Sequence, residues 1–160
     1  MTIYVLPASE QNGSVSAAYP DCAGDVIVNR YELDLASGVL AGVTLGAGDI
    51  IDMGIIPANA QVVDVIIDSD DLDSNGSPTI AFDVGVMSGT PGDTSTRTCG
   101  AEFFSGSTVA QAGGVARTTL KTAFRVAPVA TDKSIGLKIT TAAATQPASG
   151  KLGISVHVRG

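Results

Sequence analysis

The stretch from Asp49 to Met87, DIIDMGIIPANAQVVDVIIDSDDLDSNGSPTIAFDVGVM, decides the fold. Two runs of alternating apolar residues flank an acidic, glycine-containing turn in it. The apolar rows are Val63, Val65 and Ile67 before the turn and Ile80, Phe82, Val84 and Val86 after it. Asp64, Asp68 and Asp83 fall on the opposite parity. Because side chains on a strand point alternately to its two faces, each run can place one row on a core and the other in water. The stretch predicts a β-hairpin of a sandwich or barrel.

The composition of the chain also favours sheets. Its 160 residues are enough for one domain with a real core. Hydrophobic residues make up 44% of the chain, but aromatic residues only 4%, and there is no Trp. The apolar content therefore comes mainly from small and β-branched residues, which suit closely packed strands joined by glycine turns.

Further alternating or apolar runs predict the remaining strands. They are residues 25–35, Val39–Leu45, Ile50–Ile56, Val115–Lys121, Ala123–Val129, Ile135–Ile139 and Leu152–Val158. No amphipathic helix stands out. Together with turn signals about every ten residues, these runs predict an all-β fold, an antiparallel β-sandwich or jelly roll of about eight strands over residues 25–160. Residues 1–24 lack a period and are predicted to form an extended N-terminal arm or loop.

Two local details are predicted within this frame. In residues 25–35, Val26 and Val28 share one parity while Tyr31, Leu33 and Leu35 share the other, and such a change of phase indicates a β-bulge. The adjacent Phe103 and Phe104 face opposite ways on a strand, so one is expected in the core and the other is a candidate anchor for a partner.

Charge is distributed unevenly along the chain. The net charge is −7, which argues against a nucleic-acid binder. Residues 1–83 carry thirteen acids and one base, Arg30, for a net −12, whereas residues 84–160 carry three acids and eight bases, for a net +5. If the halves form different faces, the asymmetry steers subunit contacts or docking on a larger surface. If strands of both halves interleave, it averages away.

The termini and cysteines place limits on location and redox chemistry. No segment approaches the roughly 18 to 20 apolar residues that span a bilayer, and the N-terminus MTIYVLPASE lacks a signal-peptide pattern. A soluble, unexported protein without membrane contact is expected. Cys22 and Cys99 have no metal-ligand spacing and are expected to be free buried thiols, with a disulfide bridge as the alternative.

One motif resembles a metal site. The run Asp71-Leu72-Asp73-Ser74-Asn75-Gly76 matches the opening of a calcium loop, in which alternate side-chain oxygens converge on the ion. The twelfth position is Phe82 instead of a bidentate Glu, and the flanks are strands. The favoured interpretation is a structural acidic turn. A weak Ca²⁺ site formed by Asp71, Asp73 and Asn75 is the alternative, and no other cofactor is expected.

No catalytic constellation is visible. His157, the single histidine, lies on the polar parity of a strand and is expected at the surface. The chain has no G-x-S-x-G elbow and no P-loop ending. We therefore expect a protein that is not an enzyme.

The central stretch resembles the jelly-roll decoration or cement proteins of tailed-bacteriophage heads. The likeness is carried by IDMGIIPANA, which begins at Ile51, and by the following VVDVIIDSDDLDSNGSPTIAFDVGVM. Three later segments are similar to the same group: FFSGSTVAQAGG, KSIGLKITTAAATQPASG and GKLGISVHV. The likeness therefore covers residues 45–160. The resemblance implies a virion protein, made in the host cytoplasm, that binds the capsid exterior, often as a trimer, and bridges major capsid subunits.

The partners that follow from the resemblance are the major capsid protein and further copies of the chain, with no direct contact to nucleic acid. The arm and the basic C-terminal half are the best candidates for docking. The candidate contact residues are Tyr4, Tyr19, Phe104, Arg117, Lys121 and Arg125. The alternative is a β-sandwich module of a phage tail or fibre that binds a receptor or carbohydrate, with or without Ca²⁺. Fold-level likeness is an analogy and does not decide between these functions.

Overall fold

The computed structural model describes residues 1–6 and 24–160 and contains nine β-strands there. These residues form three short 3-10 turns, Gly38–Leu40, Val109–Gln111 and Ala123–Arg125, and no α-helix. The predicted all-β sandwich is confirmed. The strands are β1 (Ile3–Val5), β2 (Val26–Asp34), β3 (Ile50–Ile56), β4 (Gln61–Ser69), β5 (Ala81–Val86), β6 (Phe104–Ser107), β7 (Gly114–Arg117), β8 (Lys133–Thr141) and β9 (Lys151–Arg159).

The strands form two sheets with jelly-roll connectivity. The five-stranded sheet has the order β1-β3-β8-β5-β6, and the four-stranded sheet has the order β2-β9-β4-β7. All pairs are antiparallel except β1 with β3, which is parallel. Successive strands from β2 to β5 alternate between the sheets, so strands from both halves of the sequence lie side by side. One apolar core fills the space between the sheets.

The predicted hairpin of β4 and β5 is wrong, although both strands form. β4 pairs with β9 and β7 in one sheet, and β5 pairs with β8 and β6 in the other. The connection 70–80 therefore crosses the sandwich. Alternation specifies which side chains face the core, but it does not specify which strand lies alongside, because any strand with one apolar row satisfies the same pattern.

One β-bulge lies in β4, and the one predicted in residues 25–35 is absent. The register of β4 against β9 shifts between Val62 and Asp64, so Val62 takes the core position that alternation assigned to Val63. By contrast, β2 pairs continuously with β9. The side chains of Val26 and Val28 are 55% and 50% exposed on its outer face, and this outward apolar pair produced the apparent change of phase.

Three predicted strands differ from the structure. Val39–Leu45 forms a 3-10 turn followed by irregular chain, and Ala123–Val129 begins with the 3-10 turn Ala123–Arg125. The run Val115–Lys121 forms a strand only as far as Arg117. Short apolar runs of this kind fit a strand and a buried loop equally well, since periodicity alone does not distinguish them.

The loops gather at the two ends of the sandwich. At the first end, which we call the Asp73 end, connections 35–49, 70–80, 108–113 and 142–150 meet, as in the hydrogen bonds from Leu72 N to Ala110 O (2.8 Å) and from Gln146 Nε2 to Val43 O (2.6 Å). At the second end, which we call the Phe124 end, connections 57–60, 87–103 and 118–132 meet. Each end thus combines loops that are far apart in sequence.

The N-terminal strand extends the five-stranded sheet. Ile3, Tyr4 and Val5 pair with Ile50, Ile51 and Asp52, and Leu6 is buried. Tyr19 and Cys22 lie outside the described residues. The division into an arm of residues 1–24 and a domain of residues 25–160 stays a prediction. Within the described ranges, no helix has the length and apolarity needed to cross a membrane.

Candidate docking surface

The Phe124 end exposes an aromatic side chain between two cations. The Phe124 side chain is 50% exposed, and no other aromatic side chain within residues 1–6 and 24–160 is exposed. Lys121 and Arg125 are also exposed. All three residues belong to the connection from β7 to β8, where the 3-10 turn Ala123–Arg125 buries Ala123 and turns its neighbours outward.

Hydrogen bonds hold the backbone of this connection at its start and in its middle. Thr118 N donates to Val65 O (3.0 Å), and Thr118 Oγ1 donates to Phe103 O (2.7 Å). The Thr122 hydroxyl donates to Glu102 O (2.8 Å). The segment is therefore anchored to strand β4 and to the chain before β6.

The same connection is held at its far side by the turn between β3 and β4. Gln61 Nε2 donates to Val126 O (2.9 Å), and Asn59 N donates to Val129 O (2.7 Å). Ala58 N donates to the Asp132 carboxylate (2.8 Å). Asn59 adopts a left-handed conformation (φ 60°), which Asn tolerates better than most residues. Intrachain hydrogen bonds thus hold the backbone of this connection in place.

A small apolar pocket lies at the same end of the sandwich, and Val126 and Ala127, which follow Phe124 closely in the chain, line part of it. Its volume is about 90 Å³, enough for a short side chain. Val129, at its rim, is 43% exposed. The pocket is lined by Ile56, Pro57, Ala60, Val86, Val126, Ala127, Val129 and Lys133. We call Phe124, Lys121, Arg125 and this pocket with Lys133 the Phe124 surface.

Among the residues that the structure describes, the cations of the Phe124 surface have no carboxylate partner. Within the described ranges, Lys121, Arg125 and Lys133 form no salt bridge. In contrast, the outer face of the four-stranded sheet neutralises itself. Arg30 binds Asp68 (2.5 Å), and Lys151 binds Glu32 (2.8 Å). The Phe124 surface therefore presents positive charge that the described part of the chain does not neutralise.

The predicted contact residues divide into groups. Lys121 and Arg125 come together, and Arg117 stands one residue before the connection with its Nε 2.7 Å from Asp64 Oδ2. Tyr4 is half-buried on β1, and Tyr19 falls outside the described part of the chain. The assignment of Phe104 as an outward anchor is wrong, because both Phe103 (0% exposed) and Phe104 (8%) are buried.

Sequence reasoning missed the exposed position of Phe124 because it placed this residue on a strand. The available signal was an aromatic residue within the basic run KTAFR, whose alternation is too short to bury it. Whether these residues contact a partner stays a prediction.

The carboxylates of the acidic turn accept hydrogen bonds from backbone N–H groups. Asp73 is fully buried, and its carboxylate accepts hydrogen bonds from the backbone N–H groups of Thr79 (2.6 Å), Ile80 (3.1 Å), Ala144 (2.8 Å) and Thr145 (2.8 Å). Burial by itself raises the pKa of Asp73, but the four donors outweigh it and hold the pKa well below its ordinary value. Asp73 therefore ties the connection 70–80 to the connection 142–150.

The other oxygens of the motif also make turn contacts. Asp71 Oδ1 accepts from Asp73 N (2.9 Å), and Asn75 Oδ1 accepts from Ser77 N (2.9 Å). In the described part of the chain, no cluster of three or more His, Cys, Asp or Glu side chains is arranged for a metal ion. Calcium binding by Asp71, Asp73 and Asn75 remains untested.

Two further side chains were singled out in the sequence. His157 lies half-buried on β9, opposite Val28 and Asp64 on the neighbouring strands. Cys99 is a free thiol, and burial raises its pKa to about 12, so it is protonated at neutral pH. Cys22 is outside the described residues.

The fold defines a class of protein, a β-sandwich of the jelly-roll type. No protein-family model matches the chain, and a search of curated proteins finds no match. Solved structures do match. A chain of the capsid of Ralstonia phage GP4 is 40% identical with a TM-score of 0.84, over 99% of this chain and 98% of that chain.

Two other capsid structures contain similar chains. One in the capsid asymmetric unit of cyanophage Pam1 is 26% identical, with a TM-score of 0.61 over 91% of each chain. One in the acid-stable capsid of Helicobacter pylori bacteriophage KHP30 shares the fold at 11% identity, with a TM-score of 0.51 over 86% of this chain and 90% of that one. The chain belongs to the family of the Ralstonia phage GP4 protein, a family of bacteriophage capsid proteins.

Proposed function

We propose that this protein is a capsid decoration protein, which binds the outside of an assembled phage shell and stabilises it by bridging major capsid subunits. The observation that carries the proposal is the near full-length match, at 40% identity, to a chain of a phage capsid. The match spans the whole sandwich rather than one motif, so it supports a common mode of use.

The distribution of contact chemistry favours an added component over a subunit that builds the shell lattice itself. A lattice subunit needs contacts on several sides, because each copy is surrounded by others. Here the outer face of the four-stranded sheet uses its charges within the chain, through Arg30 with Asp68 and Lys151 with Glu32. Free cations, an exposed aromatic and an apolar pocket coincide at one end. One such face suits attachment to an existing surface.

The test is the copy number of this protein per particle, measured by quantitative mass spectrometry of purified virions against the major capsid protein. A decoration protein is expected at a ratio near one or at a simple fraction of it. A handful of copies, with a calcium-dependent melting temperature, indicates the receptor- or carbohydrate-binding module of a tail or fibre. Absence from particles contradicts both functions.

A second measurement addresses the bridging role. Particles assembled without the protein are expected to release DNA at a lower temperature, and addition of purified protein is expected to restore the release temperature. Unchanged release contradicts stabilisation. We also propose that the protein is a trimer, as the resemblance to phage decoration proteins implies, and native mass spectrometry of the purified protein tests this.

A further inference from the structure

We propose that the Phe124 surface recognises an acidic protein surface on the shell, with Phe124 entering an apolar socket and the apolar pocket receiving a side chain of the partner. This inference rests on the proposed function and adds to it the chemistry of the contact. The partner patch combines carboxylates with at least one exposed aliphatic side chain.

The positive charge of the Phe124 surface indicates that the partner surface is negatively charged. Lys121, Arg125 and Lys133 stand unpaired among the described residues of a protein whose net charge is −7. Local positive charge on an acidic protein directs encounters to acidic patches and repels other partners. Asp132 is the one acid in the connection from β7 to β8, and its carboxylate accepts the Ala58 N–H.

The apolar groups of the Phe124 surface are suited to form the centre of the contact. Interfaces draw most of their affinity from a few aromatic and arginine anchors in desolvated pockets, surrounded by polar residues. Phe124 (50% exposed), Arg125 and the pocket of about 90 Å³ match that arrangement. Because the backbone is already held, little ordering entropy opposes binding.

A second copy of the same surface is a poor partner. In a two-fold contact each residue meets the partner's equivalent patch, so the three cations face three cations. The Asp73 end does carry exposed acids, Asp70 and Asp71. A head-to-tail contact with that end builds an open chain unless it closes into a ring. Self-association is therefore an outcome that the test must distinguish.

Nucleic acid is also a poor partner. Binding to a phosphate backbone depends on many cations, and single strands stack on several aromatic rings. The Phe124 surface offers three cations and one ring.

The experiment measures binding of the purified full-length protein to capsids that lack it. Phe124→Ala is expected to weaken binding roughly 30-fold, the loss typical of an aromatic anchor. Its control is Val115→Ala, which removes apolar surface from a side chain that is 74% exposed on β7.

The double variant Lys121→Gln/Arg125→Gln is expected to weaken binding roughly tenfold and to reduce its salt dependence. Its control, Ser77→Glu/Ala148→Glu, changes the net charge by the same −2 at exposed positions of the Asp73 end. Both controls are expected to bind within about twofold of the unchanged protein, and all four variants should keep its melting temperature.

The outcomes separate this inference from the proposed function. If the unchanged protein does not bind capsids, the proposed function fails. If it binds and the Phe124 and Lys121/Arg125 variants bind equally well, the inference is overturned while the function stands.

A photo-crosslinker, benzoylphenylalanine at position 124, identifies the partner directly. Crosslinking to the major capsid protein on loaded particles supports the inference. A crosslink only to a second copy, or Phe124-dependent binding to a DNA oligonucleotide, overturns it.

Discussion

At the scale of single residues, buried charge holds the loops of this sandwich in place. Arg97 is 1% exposed and donates four hydrogen bonds, from Nε to Ser88 O (2.7 Å), from Nη1 to Asp52 Oδ2 (2.5 Å) and Asp93 O (3.3 Å), and from Nη2 to Ser134 Oγ (2.8 Å). Its planar guanidinium suits this geometry in a way that a lysine ammonium does not. Arg97 therefore fixes the segment 88–98 on the outer face of the five-stranded sheet.

We predict that Arg97→Ala lowers the free energy of unfolding by roughly 3 to 5 kcal/mol, because it leaves the Asp52 carboxylate buried without its cation. Arg97→Lys should restore only part of this loss. Urea denaturation measures both. The exposed Arg159→Ala serves as the control and is expected to change stability by less than about 0.5 kcal/mol. A loss for Arg97→Ala as small as the control contradicts the role of the ion pair.

We predict that Asp73→Asn removes part of the acid sensitivity of the protein. The folded-state pKa of Asp73 lies below that of the unfolded chain, near 3.8. Its stabilisation is therefore present above about pH 4 and is lost as the pH falls toward the folded-state value. The variant should be less stable at pH 7 and should show a shallower decline below pH 4.

The measurement for Asp73 is the melting temperature between pH 2 and 7. Asp71→Asn is the matched control, because Asp71 is exposed and, among the described residues, accepts one backbone hydrogen bond, from Asp73 N. Equal acid profiles for the two variants contradict the assignment.

At the scale of elements, glycines let a loop lie directly on a sheet. Gly85 and Gly136 are opposite each other on β5 and β8. A Cβ atom built on Gly136 stands 2.5 Å from Met87, and one on Gly85 is closer still to the Gly100 backbone carbonyl. The segment between β5 and β6 therefore lies at backbone distance on the part of the five-stranded sheet around Gly85 and Gly136.

We predict that Gly85→Ala destabilises the protein by roughly 3 kcal/mol or displaces the segment 88–103, because backbone atoms must move to accept the methyl group. Gly76→Ala, in the exposed acidic turn with open space around it, is the control and should change stability by less than about 1 kcal/mol. Chemical denaturation gives the energies, and proteolysis of the loop reports displacement. Equal stability of the two variants contradicts close packing at Gly85.

At the scale of the whole molecule, the uneven charge of the sequence survives only in part. β2 and β4 of the acidic half lie beside β9 and β7 of the basic half, and two ion pairs join the halves there, Arg117 with Asp64 and Lys151 with Glu32. The ends differ: exposed Asp70 and Asp71 mark one, and the Phe124 surface marks the other. Both alternatives drawn from the sequence thus occur. Strands of the acidic and basic halves interleave within the four-stranded sheet, and opposite charges are separated at the two ends of the sandwich.

The sequence by itself determined the all-β class, most strands and their inward rows, because side-chain direction on a strand follows from alternation alone. Its resemblance to phage-head proteins also led to the capsid family. Only the tertiary structure decided that β4 and β5 lie in different sheets, that Phe104 is buried, and that Phe124 is exposed between Lys121 and Arg125. Strand partners and loop surfaces arise from contacts between residues distant in sequence, and no local pattern encodes those contacts.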